Sequence, residues 1–255
     1  MKTLFRALVA LVLLFSPALT GLAQDVPVYF TREEMTDLVA CLPAPPDTTD
    51  SAFSQDILRY MWGKAQRRDP ERAAQVCRDA IWNLDTLAVI FSEPFGLEIS
   101  REATPAIYKV FTSGVATIGL IGVGPKAHFL RVRPFVYFQE PMLTRFEEES
   151  LRGEGSYPSG HTLRGWSAAL ILAEINPGAA EAIFARGWRY GENRVIAGAH
   201  WQSDVTVSRP ASSIGYVKLQ TSPAFRRDME AAKAEFSRLI VEKYYLKETE
   251  AVTVR

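Results

Sequence analysis

Apolar residues along this chain recur every three or four positions in most segments, whereas the period-two alternation of half-buried strands is scarce. The spacing predicts amphipathic helices. Several of these start with a capping residue followed by proline, an arrangement that suits the first turn of a helix; the pairs are Asp69-Pro70, Thr104-Pro105, Asn176-Pro177 and Ser222-Pro223. The pattern therefore predicts an all-α fold, a single-domain bundle of roughly seven to nine helices.

Two helices near the start of this bundle are predicted in more detail. The segment Thr31-Arg32-Glu33-Glu34 has the form of a capping box and predicts a helix start there. The helix that begins at Pro70 is predicted to run without interruption through Leu84, until Pro94 and Gly96 end it.

A long apolar stretch runs from Ile107 to Val123. It contains Thr112, Ser113, Thr117 and several glycines, and it is short for a membrane span, which needs about 20 apolar residues. We therefore predict a packed core helix.

The first 23 residues have the composition of a cleaved secretory signal. Lys2 and Arg6 form a positive region, residues 7–15 are apolar, and Gly21-Leu22-Ala23 supplies the small residues of a cleavage site. About a dozen apolar residues are too few to span a bilayer. We therefore predict a signal peptide over residues 1–23, a mature chain over residues 24–255, and a periplasmic location.

Charge and composition exclude some classes of function. The chain has 29 Lys and Arg against 29 Asp and Glu, so its net charge is zero, and 47% of its residues are hydrophobic. A nucleic-acid-binding protein or a polybasic membrane-surface protein would show a basic surplus. We expect neither nucleic acid nor a membrane as a partner.

The chain contains two cysteines, Cys41 and Cys77. In an oxidising compartment such a pair is more often a disulfide than two free thiols, although two unpaired buried cysteines remain the alternative. Without nearby histidines, the pair does not make a four-ligand zinc site.

Three clusters carry the candidate chemistry, and the first contains Lys126, Arg131 and Arg133, the last followed by Pro134. A lysine and an arginine can converge on one anion, because the planar arginine fork matches phosphate oxygens and lysine adds a point charge. The sequence does not separate Arg131 from Arg133. Taken alone, the cluster also fits a solvated basic surface.

The second cluster is the segment Gly155–Thr162, in which Pro158 ends a loop and Ser159 is placed to cap a helix. The N-terminus of a helix offers unpaired N–H groups and a positive dipole end, which favour anions. His161 adds a group that exchanges protons near neutral pH. The alternative is an ordinary capped helix with a surface histidine.

The third cluster runs from Asn193 to Asp204 and includes Arg194 and His200. If residues 200–204 are helical, His200 and Asp204 lie one turn apart on one face. A carboxylate in that position can hold one ring nitrogen and leave the other free to attack. The alternative is a surface ion pair of little energetic value.

Together, the clusters supply what phosphoryl transfer needs: a nucleophile, an acid for the leaving group, and fixed cations. Their order, Lys126-x6-Arg133-Pro134, then Pro158-Ser-Gly-His161, then Arg194-x5-His200-x3-Asp204, resembles the signature of the type 2 phosphatidic acid phosphatase and vanadium haloperoxidase superfamily. More narrowly, segments 155–162 and 200–204 resemble the bacterial class A non-specific acid phosphatases. The likeness extends from about residue 42 to residue 236.

The resemblance implies a role for each motif residue. His200 is the nucleophile that forms a phosphohistidine, Asp204 orients it, and His161 protonates the leaving group and then activates water. The phosphoryl oxygens are held by a phosphate cradle consisting of Lys126, Arg133, Arg194, the Ser159 hydroxyl and the Gly160 N–H. No metal or other cofactor is implied, and His128 has no assigned role.

The family also implies substrates and partners. Its members take many small phosphomonoesters, including nucleotides, sugar phosphates and aryl phosphates, and a homo-oligomer would suit it. This chain departs from the family pattern at Asn193, where serine is usual, and at Ala197, where cysteine is common, so the family's usual disulfide cannot form. In addition, Pro210 predicts a kink or an early stop in the helix after Asp204.

Three other functions share this scaffold. A vanadium-dependent haloperoxidase would hold vanadate in the same residues, and a lipid phosphatase would usually need several spanning helices. A non-catalytic phosphate-binding protein would not need both histidines and Asp204. We therefore predict a metal-independent acid phosphatase of broad specificity.

Overall fold

A computed structural model describes the backbone of residues 26–253 and the side chains of residues 26–243. The predicted signal peptide, residues 1–23, lies outside the described residues. Within residues 26–253 there are twelve α-helices and no strand, so the prediction of an all-α fold is confirmed, whereas the predicted number of helices, seven to nine, is too low. The helices are α1 (Leu38–Cys41), α2 (Ser51–Gln66), α3 (Pro70–Ala80), α4 (Leu84–Phe95), α5 (Pro105–Gly119), α6 (Val123–Phe129), α7 (Pro134–Tyr137), α8 (Glu148–Arg152), α9 (Gly160–Ile175), α10 (Ala180–Ala197), α11 (Gln202–Leu219) and α12 (Pro223–Thr253).

Helix α9 lies at the centre of the bundle, where it packs against α5, α10 and α11, while α12 packs across α5. Its buried residues, among them Leu163 and Leu172, belong to a large apolar cluster that extends from Met35 to Ala232. The approach of α10 to α9 is close: a Cβ atom on Gly165 would lie 2.4 Å from the Tyr190 ring. The N-terminal end of α9, which carries the second motif, is thus attached to the rigid core.

The apolar stretch after Pro105 packs as the predicted core helix. By length and composition alone, residues 105–137 would suffice to cross a membrane, but 72% of their most apolar window is buried inside the protein. Val110, Phe111, Val115 and Ile118 on α5 are fully buried.

The prediction of one helix from Pro70 through Leu84 is wrong. Helix α3 ends at Ala80, and α4 begins at Leu84, where the side chain of Asn83 accepts a hydrogen bond of 2.6 Å from the N–H of Thr86. The signal in the sequence is the capping residue Asn83 inside an otherwise helical apolar pattern. The break matters because it places the Ala80 carbonyl and the Trp82 ring at the cavity described below.

Two other local predictions need correction. The capping-box contact at Thr31 exists, since its N–H donates to Glu34 over 2.8 Å, but the first helix starts only at Leu38, after the cap Asp37. Of the two outcomes predicted at Pro210, a kink or an early stop, the early stop is wrong, because helix α11 continues to Leu219. Proline leaves the carbonyl of residue 206 without its helical partner. Residues 206 and 210 are both exposed, so water can satisfy that carbonyl.

The predicted disulfide between Cys41 and Cys77 is also wrong, because both are free thiols in the structure. Cys41 ends α1, which packs against α6, whereas Cys77 lies on α3, which packs against α10. The two thiols therefore belong to separate helix pairs.

Candidate active site

The predicted catalytic and phosphate-binding residues, far apart in sequence, converge on one cavity of about 340 Å³. Both histidines, His161 and His200, line it, together with Lys126, Arg133 and Gly160 of the phosphate cradle. The other three predicted residues are buried next to these: Ser159, Arg194 and Asp204. The three motifs thus form a single site.

His200 lies in the turn between α10 and α11, not in a helix as its spacing from Asp204 assumed. The turn begins at Gly198, whose φ of 85° lies in the left-handed region that glycine adopts at no steric cost. Asp204 lies in the first turn of α11, where it accepts the Trp201 N–H over 2.8 Å. Its Oδ2 is 3.4 Å from Nδ1 of His200, an ion-pair distance rather than a short hydrogen bond.

The neighbours of His200 determine which nitrogen carries its proton. Nη1 of Arg133 is 3.2 Å from Nε2 of His200. A guanidinium only donates, so Nε2 must be the acceptor, and in the neutral ring the hydrogen is on Nδ1, facing Asp204. Burial lowers the pKa of His200 well below its usual range, and the charges of Arg133 and Lys126 lower it further. The free protein therefore presents a neutral imidazole with an unprotonated Nε2.

His161 is held by a backbone contact that the sequence did not reveal. Its Nε2 is 3.2 Å from the carbonyl oxygen of Ala80, at the end of α3. A carbonyl only accepts, so Nε2 carries a hydrogen, and Nδ1 is the atom at which a proton can be gained or lost. Burial, followed by the charges of Arg194 and Arg164, lowers the pKa of His161 well below its usual range.

The second motif forms the predicted cap. The Ser159 hydroxyl oxygen accepts from the Thr162 N–H over 3.3 Å and from the Thr162 hydroxyl over 3.0 Å. Its own hydrogen thus remains for another acceptor. The preceding loop lies tightly on α6, because a Cβ atom on Gly155 would be 2.3 Å from the carbonyl oxygen of Lys126.

The three cations of the phosphate cradle already contact carboxylates of an acidic segment (residues 145–154). Glu154 lies 3.1 Å from Lys126 and 3.1 Å from Arg133, and Glu147 accepts from Arg194 over 2.9 Å. Burial lowers the pKa of Lys126 to about 8 and that of Arg133 to about 10. The acidic segment was missed at the sequence level, where only its run of glutamates at 147–149 could have indicated a role.

The structure separates Arg131 from Arg133. Arg131 does not line the cavity but bridges two buried carboxylates, with Nη1 2.5 Å from Asp204 and Nη2 2.7 Å from Asp56. Asp56, on α2, also accepts the N–H and the hydroxyl of Ser203 over 2.8 and 2.6 Å. This network fixes the carboxylate that faces His200.

Asn193, the departure from the family's usual serine, has a structural partner. Its Nδ2 donates to Asp79 over 2.6 Å, and Arg186 donates to the other oxygen of Asp79 over 2.7 Å. Asp79 is followed by Ala80, whose carbonyl contacts His161. Asn193 therefore holds the end of α3 against His161.

Replacing Asp56 by asparagine is expected to lower kcat by about 10-fold, because Arg131 and Asp204 lose part of a charge-assisted network. With one negative charge removed beside Arg131, the imidazolium form of His200 becomes less favourable, so its pKa falls further. The acidic limb of the kcat/KM profile should therefore move to lower pH. Steady-state kinetics across pH, with thermal unfolding as the check on folding, measures this; an equal loss of activity at every pH would reduce Asp56 to a purely structural role.

No group of three or more histidine, cysteine, aspartate or glutamate side chains within the described residues is arranged to hold a metal ion. His128, the third histidine, is exposed on α6 and stacks edge-on with Phe129. It lies outside the cavity, as expected for a residue with no assigned role.

Comparison with known proteins agrees with the geometry. The model of the PAP2 superfamily matches residues 107–218, which include all three motifs. The chain is 36% identical over 212 residues to a non-specific acid phosphatase of Providencia stuartii, covering 83% of this chain and 85% of that protein. It is 35% identical over 216 residues to the non-specific acid phosphatase of Salmonella typhimurium, with 84% and 86% covered, and 33% identical over 227 residues to an acid phosphatase of Zymomonas mobilis, with 86% and 85% covered. On these grounds, and as its motifs predicted, the chain belongs to the PAP2 superfamily.

Proposed function

We propose that this protein is a phosphomonoester hydrolase of broad specificity that acts through a phosphohistidine on His200 without a metal ion. The observation that carries the proposal is the direction of the His200 ring: Nδ1 faces Asp204, and the unprotonated Nε2 faces Arg133 of the phosphate cradle. Relatives of similar length named acid phosphatases support the same reaction class.

The reaction divides into two displacements at phosphorus. In the first, Nε2 of His200 forms a bond to phosphorus, the ester P–O bond breaks, and Nδ1–H of His161 gives its proton to the departing alkoxide. In the second, Nδ1 of His161 takes a proton from water, the water oxygen attacks phosphorus, and the P–N bond breaks to release phosphate and neutral His200. The cations of the phosphate cradle compensate the charge on the phosphoryl oxygens in both steps.

Before a phosphoryl group can bind, the glutamates of the acidic segment must separate from the cations of the phosphate cradle. Glu154, whose side chain is 47% exposed, can turn towards water and release Lys126 and Arg133. Its place is then taken by phosphoryl oxygens, which accept from the same donors. A cavity of this kind fits small phosphomonoesters such as nucleotides, sugar phosphates and aryl phosphates.

The central test is turnover of a panel of phosphomonoesters by the purified protein, with and without a chelator. We expect hydrolysis of p-nitrophenyl phosphate and of several alkyl phosphates, unchanged by chelation, and inhibition by vanadate, which mimics the trigonal-bipyramidal transition state. Phosphate binding without turnover would instead assign a binding protein. Bromide oxidation after addition of vanadate and peroxide would assign a haloperoxidase.

The same panel, measured across pH, tests the proton transfers. The first displacement needs a protonated His161, whose lowered pKa means that this form accumulates only as the pH falls below the usual histidine value of about 6.5. Protonation of Nε2 of His200, whose pKa is lowered as well, removes the nucleophile and stops the reaction. We therefore expect kcat/KM to be highest in acid. A profile that rises towards alkaline pH would contradict the assignment of His161 as the acid.

A further inference from the structure

Arg164 is a cation at the cavity for which the proposed mechanism has no use. It lies on α9 three residues after His161, so the two side chains leave neighbouring positions on one face of the helix. Both line the cavity. The Arg164 guanidinium lies over the Trp82 ring at 4.3 Å from the ring centre, and the Trp82 and His161 rings pack edge to face at 5.9 Å between ring centres.

Arg164 differs from the cations of the phosphate cradle in its partners. Those cations each contact a glutamate of the acidic segment. Among the residues that the structure describes, no carboxylate is within ion-pair distance of Arg164, whose Nη1 donates instead to the carbonyl of Gly160 over 3.3 Å. A guanidinium has five N–H donors. Because a single backbone carbonyl accepts from Arg164, its remaining N–H donors and its positive charge are available for a ligand in the cavity.

The direction of the reaction indicates which part of a substrate meets Arg164. In an in-line displacement, the nucleophile and the leaving oxygen lie on opposite sides of phosphorus. His200 is the nucleophile, and His161 gives its proton to the leaving oxygen, so the alcohol part of the ester lies on the side of His161. Arg164 and Trp82 form that side of the cavity.

We propose that Arg164 selects phosphomonoesters whose alcohol carries a second negative group, a carboxylate or another phosphoryl group, a few bonds from the ester oxygen. The Arg164 fork can bind either group with two parallel hydrogen bonds. The guanidinium of Arg164 covers one face of the Trp82 ring. That side of the cavity therefore presents a positive charge to the substrate instead of an aromatic surface on which a ring could stack. The inference rests on the proposed function and names the substrate class within it.

The test compares 3-phosphoglycerate with glycerol 3-phosphate, which share a three-carbon backbone and a primary phosphate ester but differ in one carboxylate. For Arg164→Gln we expect the ratio of kcat/KM values, 3-phosphoglycerate over glycerol 3-phosphate, to fall by about 10-fold or more. The loss should appear mainly as a higher KM for the acidic ester, because the contact is made in the bound substrate as well as in the transition state. Arg164→Lys should retain part of the ratio, since it keeps the charge but loses the fork.

The matched control is Arg189→Gln, which removes an exposed arginine from α10 outside the cavity and should leave the ratio unchanged. Thermal unfolding of each variant checks the fold. An unchanged ratio in Arg164→Gln overturns the inference. If the unchanged ratio comes with an equal loss of activity on both esters, Arg164 acts on His161 instead of on the alcohol. Failure of the wild-type protein to hydrolyse p-nitrophenyl phosphate would overturn the proposed function itself.

Discussion

Replacing His200 by alanine is expected to abolish phosphate release, with a loss in kcat of about 10³-fold or more, as for other enzymes that lose their nucleophile. The reason is geometric: within residues 26–243, Nε2 of His200 is the histidine nitrogen that faces Arg133 with a free electron pair. Without it, no group in the described part of the site takes over the bond to phosphorus. Steady-state turnover of p-nitrophenyl phosphate measures the loss.

The phosphohistidine provides a second, independent readout. Rapid base-quenched reactions with labelled substrate should trap a base-stable, acid-labile phosphoenzyme in the wild-type protein and none in His200→Ala. The control is His128→Ala, which removes an exposed histidine outside the cavity and should keep full activity. Retained turnover in His200→Ala, with an intact fold, would remove His200 from the role of nucleophile.

Replacing His161 by alanine is expected to lower kcat/KM for alkyl phosphates by about 10²- to 10⁴-fold, the usual contribution of a positioned general acid. The loss should be much smaller for p-nitrophenyl phosphate, because p-nitrophenolate leaves without needing a proton. With that substrate the second displacement, which lacks its base, becomes limiting. Phosphoenzyme should therefore accumulate in this variant.

Leaving-group dependence distinguishes proton transfer from a general loss of packing. His161 is half-buried and packs against Tyr190 and Trp82, so its removal also leaves space at the site. A loss from poor packing would be similar for all esters and would give no phosphoenzyme. That outcome would contradict the assignment of Nδ1 as the proton donor.

Sequence reasoning predicted which side chains come together at the cavity better than it predicted how they are held. The motif residues were identified because each chemistry requires a particular side chain: an imidazole for proton exchange, guanidinium and ammonium groups for anions, and a serine to cap α9. Helix-capping rules also gave the starts of α3, α5 and α12 correctly. Motif side chains and capping residues can be read from short segments of the sequence, which is why these predictions succeeded.

The features that were missed depend on contacts between distant segments. Ala80 offers only a backbone carbonyl, which has no signal in the sequence, and it reaches His161 because α3 ends there. Arg131 and Arg133 lie on one short segment, yet the first points to Asp56 and the second to the cavity. Arg164 looks like an ordinary polar position of α9 until the fold brings Trp82 against it.

The acidic segment has a consequence for the end of each catalytic cycle. Inorganic phosphate can leave only if Lys126, Arg133 and Arg194 find other negative partners, because an uncompensated charge in a buried position is costly. Glu147 and Glu154 are attached to the same chain and compete with the product at a high effective concentration. The protein thereby carries its own competing anion, and we expect the acidic segment to speed the release of phosphate from Lys126, Arg133 and Arg194.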